Sequence, residues 1–477
     1  MRKKIIVVVV LGFLLSSSTL SLSAAKVSYD LLIITPDGLA SSFTPLVDHK
    51  QQHDILTKVV SLSEISSSLY FPVQGRDAPE QIKYFIKNAH EQWNVRYVML
   101  VGGKDAMPVR YSVLLFSNAS KKSDRSLPGI SVLHSEGFIS DLYYADLYFE
   151  NGSFCSWDSN NNSEFGEIGF DAAVDAVDLY PDVCVGRLLC ATPQEAQNVV
   201  QKIISYENTA YGAAWFNNLV LCGGDTHPYT WEEVLLAMVF KNITGGRYHL
   251  AWEGEYMGDQ VAKILGAFSA KKLYASGLLG LRAKALTTRN INAAINDGAG
   301  FVLFSMHGSP LSLATYPPFH KRRMILLPFP YGYQSTDVAA LTNDGKLPVV
   351  VFGACSNGDF DTTARPIAWE FVNKSGGGAV GCFALTTEGN IYPTTMYTES
   401  LSGFTTMSVF EAYADGILCL GEVWAETIAR YLDDEVAWSV SAHLNSNGYS
   451  TNWLNYLALE EWMLFGDPSL RIGGYET

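Results

Sequence analysis

Two apolar runs in the second half of the chain set the strongest constraint on its fold. Gly300-Phe-Val-Leu-Phe-Ser-Met306 leads directly into His307-Gly308, and Leu347-Pro-Val-Val-Val-Phe-Gly-Ala354 leads directly into Cys355. Each is short, continuous and rich in β-branched or aromatic residues, the pattern of a strand covered on both faces. Such strands belong to parallel sheets in α/β proteins, which bind ligands beyond the carboxyl ends of their strands. A His and a Cys delivered there by neighbouring strands are the residue types of a base and a nucleophile.

The rest of the chain repeats the α/β pattern. Tyr29-Asp-Leu-Leu-Ile-Ile-Thr35, Ile55 to Leu62 and Arg96-Tyr-Val-Met-Leu-Val-Gly-Gly103 read as strands. Between them, Phe43 to Asp54 is helical in pattern, and Asp77-Ala-Pro-Glu80 opens a helix with a capping box. Asp182 to Leu188 is another strand, and Thr192-Pro-Gln-Glu195 opens a helix running to about Asn208. A second half begins near Trp215 with the strand Asn218-Leu-Val-Leu-Cys222, a helix near Trp231 to Phe240, and a strand Tyr248 to Trp252 that ends in Glu253-Gly-Glu255. The helix Thr288 to Asp297 feeds the His strand. Beyond Cys355 come a helix Pro366 to Lys374, a strand Ala379 to Leu385 and helical stretches to about Phe465.

The chain therefore reads as a signal segment over residues 1–25, a first α/β half over 26–212 and a second, catalytic half over 213–477. The signal combines Arg2, Lys3 and Lys4, the apolar run Ile5 to Leu15, and the small residues Ser23-Ala24-Ala25. This predicts a protein exported to the cell surface or beyond it. The rival is an uncleaved amino-terminal anchor, and no other stretch is long enough to span a membrane. A net charge of −15 argues against nucleic acid as a partner, because phosphates would be repelled. Seven cysteines leave at least one unpaired; buried free thiols and disulfides among the other six both remain open.

Asp158-Ser-Asn-Asn-Asn-Ser-Glu164 places oxygen side chains at alternate positions, Asp158, Asn160, Asn162 and Glu164. The spacing matches the first part of an EF-hand loop and nominates these four as ligands of a structural Ca²⁺. Gly169 stands where the loop's bidentate Glu belongs, so a solvated polar turn is the alternative.

The central chemistry needs no cofactor. A thiol attacks a carbonyl as thiolate, so Cys355 needs a base, and His307 can take its proton and return it to a leaving amine. Gly308 has no side chain to obstruct a backbone N–H aimed at an oxyanion. Asn357-Gly-Asp359 makes a sharp turn that holds the thiol at the sheet rim.

Met306-His-Gly-Ser309, Leu341 to Phe360 with its Gly-Ala-Cys-Ser-Asn-Gly-Asp core, and the closing Phe465-Gly-Asp-Pro-Ser-Leu470 resemble the gingipain family of cysteine peptidases. Asp178 to Arg187 is similar to that family's first half, so the resemblance covers most of the chain after the signal. It implies a caspase-like α/β fold with two open, mostly parallel sheets flanked by helices, in tandem halves. It implies Cys355 as nucleophile, His307 as general base, and the Gly308 and Cys355 N–H groups as the oxyanion hole. The family's His is oriented by a carboxylate at the end of the second half's first strand; Asp225 matches that place, with a plain turn Asp as the alternative. The Asp by which Arg-specific members bind their substrate has no acidic counterpart in Thr226-His-Pro-Tyr-Thr-Trp231, so Arg specificity is not implied. A basic, Pro-rich insertion, Tyr316 to Arg323, precedes the Cys strand and is expected over the site. The expected activity is endopeptidase cleavage of protein or peptide substrates. The alternatives are a sortase-like transpeptidase and a catalytically silent binding protein on the same scaffold.

Overall fold

The computed structural model describes residues 28–115, 137–169, 173–226, 252–280, 283–316, 332–391, 395–442 and 452–476. The signal segment, the helix near Trp231, the strand from Tyr248 and most of the basic insertion lie outside these residues.

The first half contributes β1 (Leu31–Thr35), β2 (Thr57–Ser61), β3 (Tyr97–Val101), a ribbon of β4 (Tyr111–Ser112) and β5 (Phe138–Ile139), and β6 (Cys184–Leu188). The second contributes β7 (Asn218–Gly223), β8 (Ser269–Tyr274), β9 (Lys284–Ala285) and β10 (Phe301–Ser305). A small antiparallel sheet of β11 (His307–Ser309), β12 (Ser312–Ala314) and β13 (Tyr333–Gln334) follows, then β14 (Val349–Gly353), β15 (Gly381–Leu385) and β16 (Trp462–Phe465).

The α/β class is as expected, and the two sheets expected for the halves run together. One sheet of 11 strands has the order β2-β1-β3-β6-β16-β15-β14-β10-β7-β8-β9. The seam is β16, which the apolar pattern had merged with the preceding helices. Four buried apolar residues cannot be told from a helical turn by periodicity alone. β16 runs antiparallel to β15 and parallel to β6, so the strands of the two halves point in opposite directions. The rim that carries His307 and Cys355 therefore belongs to the second half alone.

Apart from β16, the strands of the large sheet are parallel within each half, and the central ones are buried on both faces: every residue of β1, β3 and β10 is buried. Helices start where their caps predicted. Asp77 accepts from the Glu80 N–H at 2.9 Å, and Thr192 from the Glu195 N–H at 3.2 Å. The reciprocal half of each box reaches one residue further back, to the N–H groups of Arg76 and Ala191. Glu253-Gly-Glu255 opens the helix Glu253–Ile264, with Trp252 at its N-cap. The next strand among the described residues is β8, whose Ser269-Ala-Lys-Lys-Leu-Tyr274 sequence is polar at its exposed start and carried no apolar signal. All seven cysteines are free thiols, four of them fully buried.

Candidate active site

Register brings the central residues together. In β7, β10 and β14 the last residues Gly223, Ser305 and Gly353 lie in one row across the sheet. Two residues beyond that row stand Asp225, His307 and Cys355. Three neighbouring strands thus deliver the three residues to one stretch of rim, where an open sheet binds ligands.

After β10 the chain turns into the β11–β12 hairpin and carries His307 upward. The hairpin is fastened to the Cys turn by Asn357, whose Nδ2 donates to the carbonyls of Ser309 (2.7 Å) and Ser312 (3.4 Å). Gly308 is pressed against the nucleophile's own backbone. A Cβ there would lie 2.3 Å from the Cys355 carbonyl oxygen and 2.9 Å from its nitrogen, so only glycine fits. After Cys355 the backbone bends sharply: Ser356 has φ +54°, and its N–H donates to Thr387 O at 2.8 Å. A left-handed non-glycine residue beside a nucleophile is the kind of local strain that exposes a side chain at a strand end.

His307 is half-buried, and its Nε2 lies 3.1 Å from the carbonyl oxygen of Thr226. A carbonyl only accepts, so Nε2 carries the proton and Nδ1 keeps the lone pair that can act as a base. Burial lowers the ring's pKa from its usual value, with the Thr226 carbonyl opposing, which favours the neutral ring. Thr226 is itself braced by Glu253, a buried carboxylate that accepts from its N–H and its hydroxyl, each at 3.3 Å. Asp225 is fully buried one residue earlier; its N–H donates to Thr315 Oγ1 at 2.5 Å, and its carbonyl accepts from the Tyr316 N–H at 3.0 Å. The segment that carries Asp225 therefore meets the imidazole through the main chain of the next residue.

The Cys355 thiol donates to the Gly389 carbonyl at 3.4 Å. Burial pushes its pKa up to about 12, the charges of Glu461 and Glu388 add to the rise, and backbone contacts with Gly389 and Gly308 oppose it. A raised thiol and a lowered imidazole both favour their uncharged forms.

Glu461 had no sequence signal. It is fully buried at the start of β16, its Oε1 meets Ser402 Oγ at 3.4 Å, and its carboxyl is raised well above the usual range by burial. Only the antiparallel insertion of β16 brings it beside β15 and the thiol.

The nominated Ca²⁺ loop folds on itself. Asp158 accepts from the Asn162 and Ser163 N–H groups and pairs with Arg76 at 2.5 Å. Asn160 and Asn162 donate their amides to Glu167 at 2.6 and 3.0 Å, and Asn162 accepts from the Glu164 N–H at 2.8 Å. Among the described residues there is no group of three or more His, Cys, Asp or Glu that could hold a metal ion.

The hairpin, the turn after Cys355 and the parallel strands place an imidazole and a thiol at one rim of an α/β sheet. The sequence matches peptidase family C25 over residues 24–473, and the chain belongs to that family. It is 21% identical over 337 residues to gingipain R2 of Porphyromonas gingivalis (strain ATCC BAA-308 / W83), a match that takes in 69% of this chain and 32% of that protein. The chain thus spans about a third of the length of that relative. Among solved structures it is similar to the complex of the Porphyromonas gingivalis RgpB pro- and mature domains, with TM-score 0.58, 19% identity, and 93% and 79% of the two chains covered. The Arg-specific cysteine proteinase gingipain R (RGPB) matches with TM-score 0.58, 18% identity, and 93% and 78% coverage.

Proposed function

We propose that this protein is an exported endopeptidase that cleaves peptide bonds through a thioester acyl-enzyme. The observation that carries the reading is the row of Asp225, His307 and Cys355 two residues beyond aligned strand ends, with Gly308 packed on the Cys355 backbone. In this reading Nδ1 of His307 takes the thiol proton as sulfur attacks the scissile carbonyl. The N–H groups of Gly308 and Cys355 receive the oxyanion. The tetrahedral intermediate collapses, the C–N bond breaks, and the imidazolium returns the proton to the leaving amine. Water then attacks the thioester with His307 again as base, releasing the acid and the free thiol. Asp225 supports His307 from the buried side. No cofactor enters these steps, and a Ca²⁺ in the 158–164 loop would be structural. The signal over residues 1–25 supports export, and no helix among the described residues is long and apolar enough to cross a membrane.

Labelling with an acyloxymethyl-ketone peptide probe, followed by mapping of the adduct, tests the reading. The adduct is expected on Cys355 and lost in His307→Ala. Labelling spread over other cysteines in folded protein, with Cys355 spared, would mark a silent binding scaffold. An added amine that diverts the acyl group into a new peptide bond in preference to water would mark a transpeptidase.

A further inference from the structure

The first half holds no residue of the catalytic row, yet it grips the segment that follows the nucleophile. That segment, from Asp361 to Lys374, includes the short helix Ile367–Asn373. At its start the helix touches both catalytic elements: the Ile367 N–H donates to Pro310 O in the His hairpin at 2.8 Å, and the Ala368 N–H donates to Asn357 O in the Cys turn at 3.1 Å. At its end the helix exposes carbonyls with no partner inside the helix. These are met by the long helix Pro193–Thr209 of the first half. Lys202 Nζ donates to the carbonyls of Val372 (2.6 Å), Lys374 (3.1 Å) and Phe371 (3.4 Å), and Asn198 Nδ2 donates to Asn373 O at 2.7 Å. Glu195 adds Arg365 at 2.6 Å and the Asn373 amide at 3.1 Å, but Arg365 is half-exposed and such a pair contributes little.

Lys202 differs from these. It is 6% exposed, with its cation turned into the protein and spent on three main-chain acceptors. Burying an ammonium is costly unless its protons are used, and here each proton has a carbonyl. The helix it caps is less than two turns long, so a shift at one end is carried to the other.

We propose that Lys202 is a positioning residue for the catalytic pair, acting through the helix Ile367–Asn373 to hold the His hairpin and the Cys turn in mutual register. The first half is then part of the catalytic unit, although it supplies none of the reacting groups. This rests on the peptidase reading above. Burial lowers the Lys202 pKa to about 7, with Cys382 raising it, Lys374 lowering it and Asp344 raising it. Above that pH the neutral amine has two protons for three carbonyls, so the clamp loosens.

The test compares full-length wild type, Lys202→Met and Asn198→Ala in peptide hydrolysis, with thermal unfolding followed on the same samples. Lys202→Met is expected to lower kcat by about ten- to a hundredfold, the effect of a small misplacement of reacting groups, with KM within about threefold. The wild-type to Lys202→Met ratio of kcat should be largest below pH 7 and narrow as pH rises. Asn198→Ala should lower kcat several-fold in the same sense. An unchanged kcat in folded Lys202→Met, or a ratio independent of pH, overturns the proposal. Should Lys202→Met not fold, an unchanged kcat in Asn198→Ala overturns it. A wild type that hydrolyses no peptide counts against the peptidase reading instead. In that case the alkylation rate of Cys355, which needs no turnover, still reports the clamp: it should slow in Lys202→Met at pH 6.5 and match wild type if the proposal is wrong.

Discussion

Replacing Cys355 with alanine is expected to lower turnover of a peptide substrate by roughly 10⁵-fold or more, and His307→Ala by a comparable factor. In the proposed reaction the thiol supplies the covalent bond, and His307 supplies the proton transfer without which a thiol pushed up to about 12 stays protonated and unreactive. On that reading the pair acts as one unit in the transition state. The double variant should therefore be no slower than either single variant, within about a factor of three. Measurement of kcat/KM for the three variants, with thermal unfolding as a check on folding, decides this. Losses that multiply would show two independent contributions in place of one proton-transfer pair. For His307→Ala, raising pH should recover part of the activity as hydroxide takes over ionisation of the thiol. Cys355→Ala should stay inactive at every pH.

Gly308→Ala carries the second large effect, from the addition of one methyl group. Its Cβ would sit 2.3 Å from the Cys355 carbonyl oxygen, 2.9 Å from the Cys355 nitrogen and 3.0 Å from Asn357 Oδ1. Two of these neighbours are main chain and cannot rotate away, so the hairpin and the elbow must part by several tenths of an ångström. The Asn357 Nδ2 bonds that fasten them stretch with the movement. Displacing both the proposed general base and a proposed oxyanion donor is expected to lower kcat by about 10²- to 10³-fold. Gly38→Ala is the control: nothing lies within 4 Å of its added Cβ, and activity should stay within about twofold of wild type. A Gly308→Ala enzyme with wild-type kcat would show that the two loops are not held in contact during turnover.

The parts of this site that were legible share a cause. Phe301–Ser305 and Val349–Gly353 are covered on both faces, so burial requires continuous apolar runs, and the reactive residues follow where those runs stop. β8 was not legible, because Ser269 and Ala270 at its start are exposed and the two lysines that follow are only partly buried. β16 was hidden for the opposite reason, being an apolar stretch that directly follows an apolar helix, Trp453–Glu460. Glu461 and Lys202 belong to the same category as β16. Each is a charged residue in sequence, its burial comes from elements far away in the chain, and nothing in its neighbours signals it.

The sequence by itself determined the α/β class, and His307 and Cys355 as the residues just beyond the ends of buried strands, because strand burial and turn chemistry are local properties. Tertiary structure decided how those residues are oriented and tuned. The register of β7, β10 and β14 aligned Asp225 with them, and the Thr226 carbonyl chose the His307 nitrogen that bears the proton. The reversal at β16 set Glu461 beside the thiol, and the first half's helix closed on the segment behind it. These are contacts between residues distant in sequence, and their energies depend on burial and geometry that exist only once the chain has folded.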